Sequence, residues 1–167
     1  MAIDIPSSVF ETYEEGVDWM INNLGINAKI VYPPLKIECP NCYFNTLPGV
    51  GASNYYRPGG PYPFTQGFCP YCSGDGYKEQ IKEETIKIRT YFDKKTWNKV
   101  HPKIGIKNGD ALLIGYATDI PKIQSMDHIL LADDMAGYAE RKYTLSTDIT
   151  LWGIKKRRYF CCGVERN

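Results

Sequence analysis

Four cysteines fall in two matched pairs, Cys39-Pro-Asn-Cys42 and Cys69-Pro-Tyr-Cys72, with 26 residues between them. Two intervening residues let both sulfurs of a tight turn face one point, and two such turns complete a tetrahedron of thiolates. That donor set predicts one zinc ion, with Zn–S distances of about 2.3 Å. Four thiolates close the shell, so the zinc is expected to be structural rather than catalytic. Ser73-Gly74-Asp75-Gly76 follows the second pair. Glycines there permit positive φ and bring backbone N–H groups toward the sulfurs. Two disulfides or four free thiols are the competing readings of the same residues.

The remaining chemistry-bearing residues form no comparable group. Cys161-Cys162 sits on a strand candidate, where adjacent side chains point to opposite faces and do not converge on one metal. Lys155-Lys156-Arg157-Arg158 is the only basic run, readable as a nucleic-acid or acidic-partner contact or as a charged hairpin or strand edge. His101 and His128 are the only histidines, and neither lies in a nucleophile motif, although Asp127 precedes His128. Gly49-Val50-Gly51 lacks the flanking strand, helix and lysine of a phosphate loop. Asp110 and Asp133-Asp134 read as turn residues. No catalytic residue is nominated, and the chain is expected not to be an enzyme.

The zinc ligands bound the least regular stretch of the chain. Between 39 and 76, Pro48, Gly49, Gly51, Pro58, Gly59, Gly60, Pro61, Pro63 and Gly67 leave no room for a regular element. Metal binding is expected to offset the cost of ordering it. The result is a projecting lobe that carries Tyr55, Tyr56, Arg57, Tyr62 and Phe64, either as a protein-contact surface or packed on the lobe itself.

Around the lobe the periodicities are clearer. Val9, Tyr13, Val17, Met20, Ile21 and Leu24 recur at helical spacing, predicting a helix over 7–24 capped by Ser7 or Ser8 and stopped by Gly25. Residues 28–32 read as a short strand ended by Pro33-Pro34. After the lobe, 77–92, 111–117, 137–145 and 149–162 read as strands, with a turn at Lys107-Asn108-Gly109-Asp110. Asp119-Ile120-Pro121 predicts a capped short helix or turn opening 119–131. The fold class is therefore mainly β, a small barrel or sandwich with an N-terminal helix and an irregular zinc-binding lobe. The organisation is a single domain over 1–167 with the lobe inserted at 37–77.

Composition narrows the function classes. Net charge is +1, which supplies no field for nucleic acid or an anionic membrane. No stretch approaches the roughly 18 apolar residues of a membrane span, and a basic-then-apolar leader is lacking. Six cysteines without an export signal point to a reducing compartment. Thirteen tyrosines against six phenylalanines hint at interface surface.

Three resemblances add to these readings. The cysteine pairs resemble a zinc ribbon, and Cys69 to Gly76 fits the Cys-x-x-Cys-x-Gly-x-Gly repeat of DnaJ-type chaperones. Only one copy carries those glycines and no His-Pro-Asp is present, so the likeness specifies a metal rather than a chaperone activity. The whole-chain order, with Gly109-Asp110, Met126-Asp127-His128-Ile129-Leu130-Leu131, Tyr143 and Arg157-Arg158-Tyr159-Phe160, resembles head–tail connector proteins of tailed bacteriophages, of the head-closure or stopper type. That resemblance implies a virion structural protein assembled in the host cytoplasm. It would form a cyclic homo-oligomeric ring in the neck, contact portal or adaptor and tail proteins, and meet DNA passively in its lumen. It implies no membrane and no small-molecule substrate. The alternative is a zinc-ribbon adaptor or nucleic-acid-binding protein. Arg57 is the only basic residue between 39 and 76, which argues against phosphate binding by the lobe.

Overall fold

The computed structural model describes residues 6–47, 51–65, 67–93, 110–132, 140–153 and 158–167. His101, the turn at Lys107-Asn108-Gly109, Asp133-Asp134, Lys155-Lys156-Arg157 and Gly49-Val50 lie outside the described residues. In chain order the elements are α1 (Ser7–Leu24), β1 (Ile26–Val31), β2 (Leu35–Glu38), β3 (Cys42–Leu47), β4 (Gly51–Tyr56), β5 (Tyr77–Gln80) and β6 (Glu83–Tyr91). There follow β7 (Ala111–Tyr116), a 3-10 turn (Ala117–Asp119), α2 (Ile120–Ser125), β8 (His128–Ala132), β9 (Glu140–Leu145), β10 (Thr150–Trp152) and β11 (Tyr159–Arg166). Two compact units result, Met1–Pro33 with Glu83–Asn167, and Pro34–Lys82. Among the described residues no helix is long and apolar enough to cross a membrane.

The first unit is a closed antiparallel barrel. Its six strands run β11-β7-β6-β1-β8-β9, and β9 returns to β11 through Val164↔Leu145 and Arg166↔Tyr143. Closure removes the exposed edges that an open sheet must protect. The strand β10 adds to the other end of β11, pairing Leu151 with Phe160.

Period-two alternation fills the interior. Ala28 and Ile30, Ile86 and Ile88, Ala111 and Leu113, Ile129 and Leu131, and Phe160, Cys162 and Val164 form one buried cluster. The intervening residues of β7 and β11 are buried as well. Leu112, Ile114, Tyr159 and Cys161 pack under Val17 and Ile21 of α1. These two strands are therefore covered on both faces, which explains their unbroken apolar runs. Cys161 and Cys162 are free and buried on opposite faces, as the pleat requires.

Gly115 stands directly opposite Phe160 in the register. A Cβ there would lie 2.6 Å from the Phe160 ring and 3.2 Å from Ile88. The glycine thus makes space for the fully buried Phe160 ring.

Helix α1 keeps the predicted bounds, but its N-cap is Pro6, without a side-chain hydrogen bond from Ser7 or Ser8. At its other end the Gly25 N–H donates to the Ile21 carbonyl at 3.1 Å, and a Cβ on Gly25 would overlap that oxygen. The helix is fastened to β11 by polar contacts. The Tyr159 hydroxyl lies 2.9 Å from Asp18 Oδ1 and 3.1 Å from the Glu14 carbonyl, and Arg158 Nη1 donates to Glu14 Oε2 at 2.9 Å. Burial and then the Asp18 carboxylate push the Tyr159 phenol above its ordinary range. A raised phenol contributes stability that is present below the ordinary tyrosine range and lost as pH rises through the shifted value. Tyr159→Phe is expected to cost about 1–3 kcal/mol and to flatten this alkaline loss, measured by urea unfolding at neutral and alkaline pH.

Several expectations are corrected by this fold. The run 149–162 is two antiparallel strands, β10 and β11, because flanking apolar segments on either side of a basic stretch pair with each other. The run 77–92 is likewise divided into β5 and β6, which belong to different units. Asp119 precedes α2 but does not cap it, since its carboxylate holds Lys122 Nζ at 2.8 Å instead. Residues 128–131, read as part of a helix or turn region, belong to β8, where Ile129 and Leu131 face the interior. Asp110, read as a turn residue, is buried next to β7.

The second unit contains the two Cys-x-x-Cys pairs. Two short ribbons build it: β2 pairs with β5, and β3 pairs with β4. The expectation of no regular element between 39 and 76 is overturned by the β3–β4 hairpin. Glycine and proline cluster at 48–51 and 57–67, so Tyr43-Phe44-Asn45-Thr46 and Ser53-Asn54-Tyr55-Tyr56 remain free to alternate as strands.

Candidate metal centre

Cys39 follows β2, Cys42 opens β3, and Cys69 and Cys72 occupy a turn ahead of β5. All four sulfurs lie within 4.8 Å of one another, and all four residues are buried. The Cys39–Cys69 and Cys42–Cys72 separations are 3.9 and 3.7 Å. Sulfurs placed tetrahedrally about 2.3 Å from one ion sit about 3.8 Å apart, so the donor set fits a metal ion. The same distances are far beyond the S–S bond of about 2.05 Å in a disulfide.

Backbone and amide donors surround the sulfurs. The Asn41 N–H approaches Cys39 Sγ at 3.4 Å, and the Gly76 N–H approaches Cys72 Sγ at 3.2 Å. Asn41 Nδ2 lies 3.3 Å from Cys69 Sγ. Asn54 reaches the other side of the cluster, with Oδ1 3.8 Å from Cys42 Sγ and Nδ2 donating to the Gly74 carbonyl at 3.0 Å. Burial pushes the Cys39 and Cys42 thiols up. Burial acts on Cys69 as well, but the Asn41 amide and the N–H groups of Cys72 and Tyr71 outweigh it and bring that thiol down to about 6. Donors already in place thus favour the thiolate form of Cys69.

The turn after Cys72 uses left-handed backbone. Ser73, Gly74 and Gly76 have φ of 56°, 99° and 76°. A Cβ on Gly76 would lie 2.3 Å from Phe44 Cβ, and one on Gly74 would lie 2.5 Å from the Phe68 ring. Gly76→Ala combines strain of about 1–3 kcal/mol with that clash. It is expected to weaken metal retention at least about tenfold, measured by competition with a chelating dye.

The lobe's aromatic residues divide into two groups. Phe64 and Tyr71 pack against the cysteine cluster, and Tyr56 meets Phe64 edge-on at 6.0 Å. Tyr55 and Tyr62 are exposed, as are Tyr43, Phe44 and Phe68, which the sequence did not single out. The Arg57 guanidinium lies over the Tyr43 ring at 4.5 Å. Beside Cys42 a cleft of about 650 Å³ is lined by Glu38, Tyr43, Arg57, Asp75 and Tyr77.

Asn41 and Asn54 are the functional residues that sequence reasoning missed. The available signal was a residue with a side-chain amide placed between two ligands, as in Cys-Pro-Asn-Cys. Outside the lobe, Asp127 Oδ2 and His128 Nδ1 do meet, at 2.7 Å, with Lys142 Nζ 3.7 Å from the same carboxylate oxygen. The His128 hydrogen bond and the Lys142 ammonium hold the Asp127 carboxyl below its ordinary value. No protein-family model, curated protein or solved structure matches this chain.

Proposed function

We propose that the Pro34–Lys82 unit binds one structural zinc ion through Cys39, Cys42, Cys69 and Cys72. We further propose that the whole chain is a virion structural protein of a tailed phage, part of the head-to-tail connector ring that joins portal or capsid to tail. The observation that carries the reading is the cysteine cluster itself. Four buried sulfurs occupy every position of a tetrahedral ion, so the centre is suited to holding a shape and leaves no site for a reacting ligand. Four sulfurs also favour zinc over the oxygen-preferring divalent ions. A closed barrel suits a ring component, since β11, β7, β6, β1, β8 and β9 are each paired on both sides and leave side chains to make its contacts.

A second reading is an adaptor that binds nucleic acid through the lobe. Lys36 lies 4.3 Å from the Tyr77 ring, Lys78 lies 4.3 Å from the Tyr71 ring, and Phe68 is 84% exposed. Such side chains could stack on bases while neutralising phosphates.

Native mass spectrometry over a range of concentrations tests both. One zinc per chain with ring-sized species supports the connector reading. A zinc-loaded monomer that binds single-stranded DNA in a salt-dependent manner supports the adaptor, and a chain with no metal removes the zinc-binding reading.

Metal loading is also expected to depend on pH. Burial holds the Cys39 and Cys42 thiols protonated at neutral pH, and metal must displace those protons. At least two protons should therefore appear per ion bound, and apparent affinity should rise with pH. Calorimetry in buffers of different ionisation enthalpy measures the number released.

A further inference from the structure

Tyr62 and Tyr71 stack with their ring centroids 5.9 Å apart and 29° between their planes. The two rings are supplied by different cysteine pairs. Tyr71 lies between Cys69 and Cys72. Tyr62 hangs on Asn41, which lies between Cys39 and Cys42. Asn41 Oδ1 accepts the Tyr62 N–H at 2.7 Å, and Asn41 Nδ2 donates to the Tyr62 carbonyl at 2.8 Å. The Asn41 carbonyl accepts the Arg57 N–H at 3.0 Å, so the segment is held at both ends. Gly60 packs so closely beneath it that a Cβ there would lie 2.6 Å from Asn41 Oδ1. Asn41 is fully buried, and its Nδ2 also reaches across to Cys69 Sγ of the opposite pair.

A chain of contacts thus runs from sulfur to amide to Tyr62. Metal-free thiols are weak donors and weak acceptors, so without an ion the sulfurs add little to the backbone contacts that join the two pairs, the Cys39 N–H donation to the Gly76 carbonyl at 2.9 Å and the β2–β5 ladder. Thiolates bound to an ion are stronger acceptors and fix the Asn41 amide. We propose that Asn41 is a positioning residue that makes the pairing of exposed Tyr62 with half-buried Tyr71 conditional on metal. The ion assembles the pair by joining its two halves, and Asn41 transmits occupancy to Tyr62. This rests on the metal-binding reading above and assigns it a regulated product, a surface feature that the loaded chain displays and the empty chain lacks.

Nuclear magnetic resonance of the full chain tests the proposal. Loaded with cadmium-113, the protein should show a scalar coupling between an Asn41 side-chain amide proton and the metal. Ring-to-ring contacts between Tyr62 and Tyr71 should be present in the loaded chain and absent from the metal-free chain under reducing conditions. Asn41→Ala should retain one ion per chain with affinity lowered about 10–100-fold, and should lose the ring contacts while still loaded. Ring contacts that persist in the metal-free wild-type chain overturn the proposal, and this arm needs no substitution. Ring contacts that persist in loaded Asn41→Ala overturn it as well, while leaving the metal centre standing. A wild-type chain that takes up neither zinc nor cadmium overturns the metal-binding reading and this inference together.

Discussion

A Cys72→Ser chain is expected to lose its metal and, with it, the order of Pro34–Lys82. Among the described residues the buried core of that unit is the four cysteines, with Phe64 and Tyr71 packed against them. The exposed aliphatic side chains Leu35 and Ile37 contribute little burial in its place. Such a unit lacks the hydrophobic area needed to fold on its own account. A structural zinc site contributes about 10–16 kcal/mol, on the scale of the ordering cost it must offset. Removing one of four thiolates should lower metal affinity by at least about a thousandfold. Hydrogen exchange read by mass spectrometry should then become fast throughout 34–82 and stay slow in the barrel strands. Unchanged protection in 34–82 would show that the fold of the unit does not depend on the ion.

Phe160→Ala is the substitution expected to damage the barrel most. The side chain is fully buried, it fills the interior beside Ile88, and its ring lies against Gly115. Deleting a buried ring of this kind costs about 3–5 kcal/mol, made up of lost transfer energy and a residual cavity. Collapse around the gap is restricted because Gly115 has no side chain to move inward. Urea unfolding of the loaded protein should show a lower midpoint with little change in slope. A loss under about 1 kcal/mol would mean that the barrel interior is far more yielding than its packing indicates.

The parts of this structure that were legible in the sequence are those set by local spacing. The bounds of α1 follow from a 3.6-residue apolar period between Pro6 and Gly25. The cysteine cluster follows from two Cys-x-x-Cys turns, whose geometry allows little else in a compact unit. Boundaries set by distant partners were not legible. Nothing between Tyr77 and Tyr91 punctuates the chain with glycine or proline, yet it passes from one unit to the other at Lys82-Glu83. The division of 149–162 depends on β10 pairing with β11, a tertiary event. The β3–β4 hairpin was hidden by a local excess of glycine and proline on either side of it. The roles of Asn41 and Asn54 depend on carbonyls of Tyr62 and Gly74, about twenty residues away in each case, and no spacing rule specifies such amide contacts.

The strand β11 has a consequence for biosynthesis. It is the member that pairs with both β7 and β9, so the barrel cannot close until residues 159–166 have been made. Until then β7 and β9 each present an unpaired edge inside the cell, the condition in which nascent β-proteins are most exposed to aggregation. The pairings that close the barrel span long stretches of chain, which places their formation on the slow side of the folding range. The Pro34–Lys82 unit is different, being one continuous segment whose four clustered cysteines have all been made by residue 72. The cysteine-containing unit can therefore fold before the barrel, which closes last.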